Sequence, residues 1–146
     1  MNKVIDCFDG EYAFLSNFYE CPVVYDGFTY QNSEAAFHAQ KTLRIPIRRM
    51  FVDLNPSEAK KLGRKIPIRK DWESVKLDIM YEVCRAKFVQ NPELKDKLLA
   101  TGDAHLEEGN YWHDNCWGNC TCDKCKDVSG QNNLGKILMR IREELR

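Results

Sequence analysis

Apolar positions fall into two long helical stripes and several short strand-like runs. Trp72, Val75, Ile79, Val83 and Ala86 make one stripe; Leu77, Met80, Cys84 and Phe88 make another beside it. So wide an apolar surface predicts a central helix from Trp72 to about Gln90, packed on more than one side and capped by Asp71. Lys76 and Lys87 project within that face. Snorkelling stems are the expected reason, with the lining of an anion pocket as the alternative. Leu134, Ile137, Leu138, Ile141 and Leu145 mark a strongly amphipathic final helix. Gly135 in its first turn suggests close backbone approach.

Shorter helices are expected over Ile47–Leu54, from Pro56 with Asn55 as cap to Gly63, and over Glu93–Ala100, stopped at Thr101-Gly102. Val4-Ile5, Pro22–Tyr25 and Phe28–Tyr30 read as strands, with Asp26-Gly27 as the hairpin turn joining the last two. Ala104–Glu108 is a further short strand. Phe14–Tyr19 reads as an aromatic loop with Ser16 and Asn17 at its centre, Ile66–Arg69 as an extended connector, and residues 109–133 as a long loop. A loop of that length in a compact domain is usually functional. The elements amount to an α+β fold, predominantly helical, with a small antiparallel β element near the N-terminus. At 146 residues one domain, 1–146, is expected.

One more helix starts at Ser33, with Asn32 or Ser33 as cap, and nothing breaks its run before Leu43. At about 100° per residue, Glu34, Phe37, His38 and Lys41 share one face. Lys41 then lies about 10 Å beyond Glu34 on the same side, at ~1.5 Å per residue. A carboxylate in a first helical turn often does no more than complement the helix dipole.

Composition narrows the class. The chain is 43% apolar and 30% charged, with 22 basic and 22 acidic residues, as in an ordinary soluble globular protein. A zero net charge argues against a protein that coats phosphate backbones. A local basic cluster, Arg64, Lys65, Arg69 and Lys70, would suffice for one small phosphorylated ligand. No apolar run is long enough to span a bilayer, and the N-terminus lacks a signal peptide's apolar centre. A cytoplasmic protein with reduced thiols is expected. Nothing in the sequence identifies a protein partner.

Four of the seven cysteines crowd between 116 and 125. Free thiols on a loop are the expected state, with no bound metal. Zinc on Cys116, Cys120, Cys122 and Cys125, with His113 as a fifth candidate ligand, is the lesser alternative, because zinc sites usually pair two well-separated Cys-x2-Cys turns.

Two further segments concentrate chemistry: Lys70–Lys76, and Tyr111–Gly118 followed by Gly130–Gly135. Tryptophans, a carboxylate and asparagines in irregular backbone suit a planar polar ligand. Rings stack on a base, amides read its edges, and a carboxylate handles a proton or a ribose hydroxyl. Loop tryptophans also serve as packing anchors.

Phe14-Leu-Ser-Asn-Phe18, Ser33-Glu34 with Ala39-Gln-Lys41, Asp71–Lys76, Arg85–Phe88, Asp114 with Trp117-Gly118, and Asn132 with Leu134-Gly135 occur in an order that spans nearly the whole chain. In these pieces the sequence resembles the NADAR superfamily of YbiA-like proteins. The resemblance implies an N-glycosidase that cleaves a bond between ribose C1 and a nitrogen, with no cofactor. The substrate it implies is a ribosylated base, either a small molecule or one attached to nucleic acid. Phosphoribosylamino-pyrimidine intermediates of riboflavin synthesis and ADP-ribosylated guanine are the examples. By motif match Glu34, Lys41 and Asp114 are catalytic positions; Asn17, Phe18, Trp72, Trp117, Gly118 and Asn132 are substrate-binding ones. Lys41 is either a Schiff-base nucleophile or a phosphate ligand. The cysteine loop falls outside the matched positions and is expected to be dispensable for chemistry. Cys116 stands where an aromatic is commoner, and Ala35-Ala36 where larger residues are usual. Other classes are a non-catalytic ADP-ribose or nucleotide-binding module, and a zinc-stabilised interaction domain.

Overall fold

A computed structural model describes residues 3–146. In chain order the elements are β1 (Val4–Ile5), a 3-10 segment (Gly10–Leu15), β2 (Glu20–Tyr25), β3 (Phe28–Asn32) and α1 (Ser33–Ala39). Then come α2 (Ile45–Arg49), α3 (Pro56–Gly63), α4 (Trp72–Gln90), α5 (Pro92–Ala100), β4 (His105–Leu106), β5 (Gly109–Asn110), β6 (Asn119–Cys120) and α6 (Asn133–Leu145). The α+β, largely helical character expected from the sequence is what is found. Among the described residues no helix is long and apolar enough to cross a membrane. The described residues form two compact units, Asn17–Leu94 and 3–16 with Lys95–Arg146.

In the unit Asn17–Leu94, β2 and β3 form the antiparallel hairpin. Its turn residues Asp26 and Gly27 both have positive φ, 47° and 89°, which suits a two-residue turn matched to the strand twist. The hairpin packs on α1 and α4, and α1 packs on α3. Tyr30, Val23, Ala35, Ala36, Ala39, Phe51, Val83 and Phe88 are buried in this unit. The alanines leave the small surface that lets neighbouring elements approach α1.

Several local expectations needed correction. Helix α1 ends at Ala39, so Lys41 follows the helix rather than sitting on it. The Gln40 side chain donates to Ala36 O at 3.0 Å. Two tight turns, Gln40 N to Phe37 O and Lys41 N to His38 O, then close the end. Helix α2 starts two residues earlier than expected because Pro46 sits in its first turn. Asp71 does not cap α4 with its side chain; both carboxylate oxygens accept from Arg69, at 2.6 and 2.9 Å. Leu77 is exposed, so the second stripe begins at Met80. Lys76 pairs with Glu73 at 2.9 Å. Lys87 does not snorkel: its side chain is buried, and burial holds its ammonium below the usual lysine range. The expected cap of α3 is present and doubled, Asn55 and Glu58 each accepting from the other's backbone N–H.

In the other unit, Phe14 and Leu15 belong to a 3-10 turn rather than an open loop. β1 pairs with β4 in parallel, and α6 lies against β4. Gly135 allows that approach: a Cβ there would overlap Leu106 O and the Asn132 side chain. The 109–133 loop contains one short parallel pairing, β5 with β6.

Candidate active site

Helix α1 begins where Asn32 Oδ1 accepts from Ala35 N at 2.7 Å, which makes Asn32 rather than Ser33 the cap. Asn17 clamps the same turn. Its carbonyl accepts from Glu34 N at 3.2 Å. Its Oδ1 accepts from Ser33 Oγ at 2.9 Å, and its Nδ2 lies 3.3 Å from Met80 Sδ. The expected binding residue Asn17 is thus buried and engaged in fixing the backbone that carries Glu34.

One turn along α1, His38 Nε2 lies 2.7 Å from Glu34 Oε1, with the side chains 9% and 12% exposed. The carboxylate accepts from Nε2, which leaves the other ring nitrogen, Nδ1. That Nδ1 is buried without a hydrogen-bond partner. Gly63 at the end of α3 makes room for the ring: a Cβ there would overlap His38 Nδ1 and stand 2.9 Å from Cγ. Sequence reasoning set His38 on the right face but gave it no role; the signal was its i, i+4 spacing from Glu34.

Lys41 is half-buried just past the helix. Burial pushes its pKa down, opposed by the charge of Glu34 and helped by that of Arg64. Its carbonyl accepts from Arg69 N at 2.7 Å, which ties the connector to this turn. Its Nζ stands 6.0 Å from the Trp72 ring centroid. Trp72 is only 8% exposed and packs on Phe37 at 5.1 Å between centroids. Phe18 is exposed, with Lys60 Nζ 5.9 Å from its ring. Asn17, Glu34, His38, Lys41 and Trp72 therefore lie on elements that the fold packs together. An open depression of about 430 Å³ elsewhere in the unit is lined by Glu20, Asp53 and Glu58 among others. Its carboxylates suit a phosphorylated ligand poorly.

The remaining expected residues share the 109–133 loop and its junction with α6. Asp114 Oδ1 accepts from Cys116 N at 3.1 Å and Trp117 N at 2.9 Å, a side-chain turn that orients Trp117. Asn110 braces the turn before it, donating to Asp114 O at 2.8 Å. Trp117 is half-buried, whereas Tyr111 and Trp112 are exposed and meet edge to face. Gly118 lies against Glu108 O, where a side chain would not fit. Asn132 adopts a left-handed conformation, φ 49°. Its side chain accepts from Glu108 N at 3.0 Å and donates to Leu106 O at 2.9 Å. Gly118 and Asn132 thus hold the loop's shape.

A half-buried carboxylate tied to a histidine, beside a lysine with a lowered pKa, is an arrangement for acid–base or nucleophilic work on a small polar substrate. The sequence of the NADAR domain family matches residues 7–146. The N-glycosidase YbiA of Escherichia coli is 41% identical over 145 residues, covering 92% of this chain and 82% of its own. An N-glycosidase of Nostoc punctiforme is 43% identical over 93 residues, covering 62% and 56%. A riboflavin biosynthesis protein of Vibrio vulnificus is 35% identical over 140 residues, covering 94% of this chain and 36% of its own. The NMR structure of E. coli YbiA superposes with a TM-score of 0.82 at 39% identity, over 99% of this chain and 86% of that one. This chain belongs to the NADAR family, and the enzyme class it shares with YbiA and the Nostoc protein is N-glycosidase.

Proposed function

We propose that this N-glycosidase hydrolyses the C1–N bond between a phosphate-bearing ribose and a base, with a phosphoribosylamino-pyrimidine as substrate. The observation that carries the reading is the Glu34 carboxylate, 2.7 Å from His38 Nε2, on the helix whose end leads into the half-buried Lys41. Kinship with a riboflavin biosynthesis protein supports the pyrimidine. The charge of Arg64, close enough to lower the Lys41 pKa, supports the phosphate.

Departure of the base builds positive charge on the ribose, and the Glu34 carboxylate stabilises it. The electron pair of the C1–N bond leaves with the base nitrogen, which takes up a proton. The Lys41 amine bonds to C1 of that cation and gives up a proton. The C1–O bond of the ring then breaks, its oxygen taking up a proton, to leave a Schiff base, and water adds across the C=N bond to release the sugar and free the amine. A lysine whose pKa is lowered by burial has more of the neutral amine this needs. In the other unit the Asp114 turn holds Trp117, a ring of the kind that stacks on a base.

The test is chromatographic detection of free base from a phosphoribosylamino-pyrimidine, with ADP-ribosylated guanine in parallel. Turnover of the pyrimidine is expected. Turnover of the guanine conjugate alone would move the substrate to ADP-ribose chemistry. Tight binding of both without turnover would make the chain a binding module.

A further inference from the structure

The cysteines of the 109–133 loop have no role in the reading above, yet three of them converge with a histidine. His113 Nδ1 and the sulfurs of Cys120, Cys122 and Cys125 all lie within 4.8 Å of one another. From His113 Nδ1 the sulfurs stand 3.9, 3.2 and 3.5 Å away, in that order. Zinc–sulfur bonds of about 2.3 Å and zinc–nitrogen bonds of about 2.0–2.1 Å put tetrahedral sulfur–nitrogen edges at about 3.5 Å. The three distances scatter around that value. We propose that His113, Cys120, Cys122 and Cys125 bind one zinc ion in a closed tetrahedral site.

The ligand set differs from the one read in the sequence. Cys116 is turned toward Asn133, whose Nδ2 lies 3.8 Å from its sulfur, and it takes no part. His113 takes the fourth corner from a left-handed backbone conformation, φ 70°. That conformation is uncommon for a residue with a side chain, and such strain gathers at sites where the surroundings over-determine it. It also removes the objection that four cysteines within ten residues cannot wrap an ion. Cys120 comes from β6, Cys122 and Cys125 from a tight turn closed by Cys125 N to Cys122 O at 3.0 Å, and His113 from seven residues before Cys120.

The surroundings are built as for a metal-bound sulfur. His113 N donates to Cys120 Sγ at 3.2 Å. Cys120 N donates to Asn115 Oδ1 at 2.8 Å, and Thr121 N to Asn110 O at 2.7 Å. Asn110 Oδ1 accepts from Trp112 N and Asp114 N, fixing both sides of His113. Three thiolates and an imidazole select zinc among the common divalent ions. Four protein ligands leave no open position, so the site is structural. Zinc displaces three thiol protons on binding. It ties down a stretch whose regular structure is the two-residue pairing of β5 with β6.

The test is metal analysis of the reduced full-length protein, stripped with chelator and reloaded with zinc chloride alone. One zinc per chain is expected, and it should persist in Cys116→Ser and be lost in Cys120→Ser and Cys125→Ser. Folding of the variants is followed by circular dichroism. Wild-type protein supplies a second readout: chelation should expose three additional thiols to a thiol reagent and open residues 111–128 to protease. Cobalt in place of zinc should give the strong visible bands of a tetrahedral thiolate site. Failure of the reloaded wild type to hold zinc, or equal loss of zinc in Cys116→Ser, would overturn the site.

Discussion

Glu34 Oε1 and His38 Nε2 meet at 2.7 Å across one turn of a seven-residue helix, and Gly63 leaves the space in which the imidazole lies. The histidine orients the carboxylate, and the glycine orients the histidine. A hydrogen bond to a charged group contributes about 1.5–3 kcal/mol. His38→Phe fills the same space without the donor and should lower kcat about ten- to a hundredfold. His38→Gln, which can still donate, should recover part of that loss. Equal activity in all three proteins would reduce His38 to packing.

Gly63→Ala tests the same contact from the other side. Alanine gains about 0.8–1.0 kcal/mol in helix propensity over glycine. Over-packing costs typically 1–3 kcal/mol, and here the obstacle is the base of a ring with little room to turn. A net loss of stability in urea titration is expected, together with lower kcat. Unchanged turnover would mean the ring can shift without disturbing Glu34.

Lys41 gives a prediction with a sign. Burial lowers its folded pKa below the ordinary 10.5, so the unfolded chain holds the proton more tightly. Stability therefore rises with pH up to about 10.5, and at neutral pH the charge is a cost. Lys41→Met should raise the melting temperature at pH 7, the gain shrinking toward pH 10.5, while abolishing turnover. Borohydride added during turnover should trap sugar on wild-type Lys41. Absence of the adduct would leave Lys41 as a phosphate ligand.

The two tryptophans should part company. Trp72 is buried against Phe37, so Trp72→Ala should cost about 3–5 kcal/mol of stability, and Trp72→Phe much less. Trp117→Ala should leave the melting temperature nearly unchanged and weaken substrate binding by about 1–3 kcal/mol. Titration of a non-hydrolysed analogue checks both.

What the sequence made legible was local. Asp26-Gly27 announces its hairpin because both residues tolerate positive φ, and the bounds of α4 follow its apolar stripes. Asn55 and Pro56 mark the start of α3. The parallel pairings of β1 with β4 and β5 with β6 are two residues long and join distant segments, so no periodicity betrays them. Lys41 leaves the helix through hydrogen bonds of Gln40 that propensity does not register. His113 replaces Cys116 in the thiol cluster because of a backbone conformation that composition does not encode. Glu34 was legible as a first-turn carboxylate; its histidine partner needed the packing of α3 to become evident.

The most direct measurement is single-turnover release of base by wild type and Glu34→Gln, with thermal unfolding of both. Glutamine keeps the shape and can still accept from His38, but it carries no charge and moves no proton. Removing one electrostatic contact to a developing charge typically costs about 2.7–4 kcal/mol, a hundred- to a thousandfold in rate. A first-turn carboxylate contributes only about 0.3–1 kcal/mol to folding through the helix dipole. The expected result is a hundredfold or greater loss in the chemical step with nearly unchanged melting. Retained turnover with a lowered melting temperature would contradict it, and Glu34 would then be a structural residue.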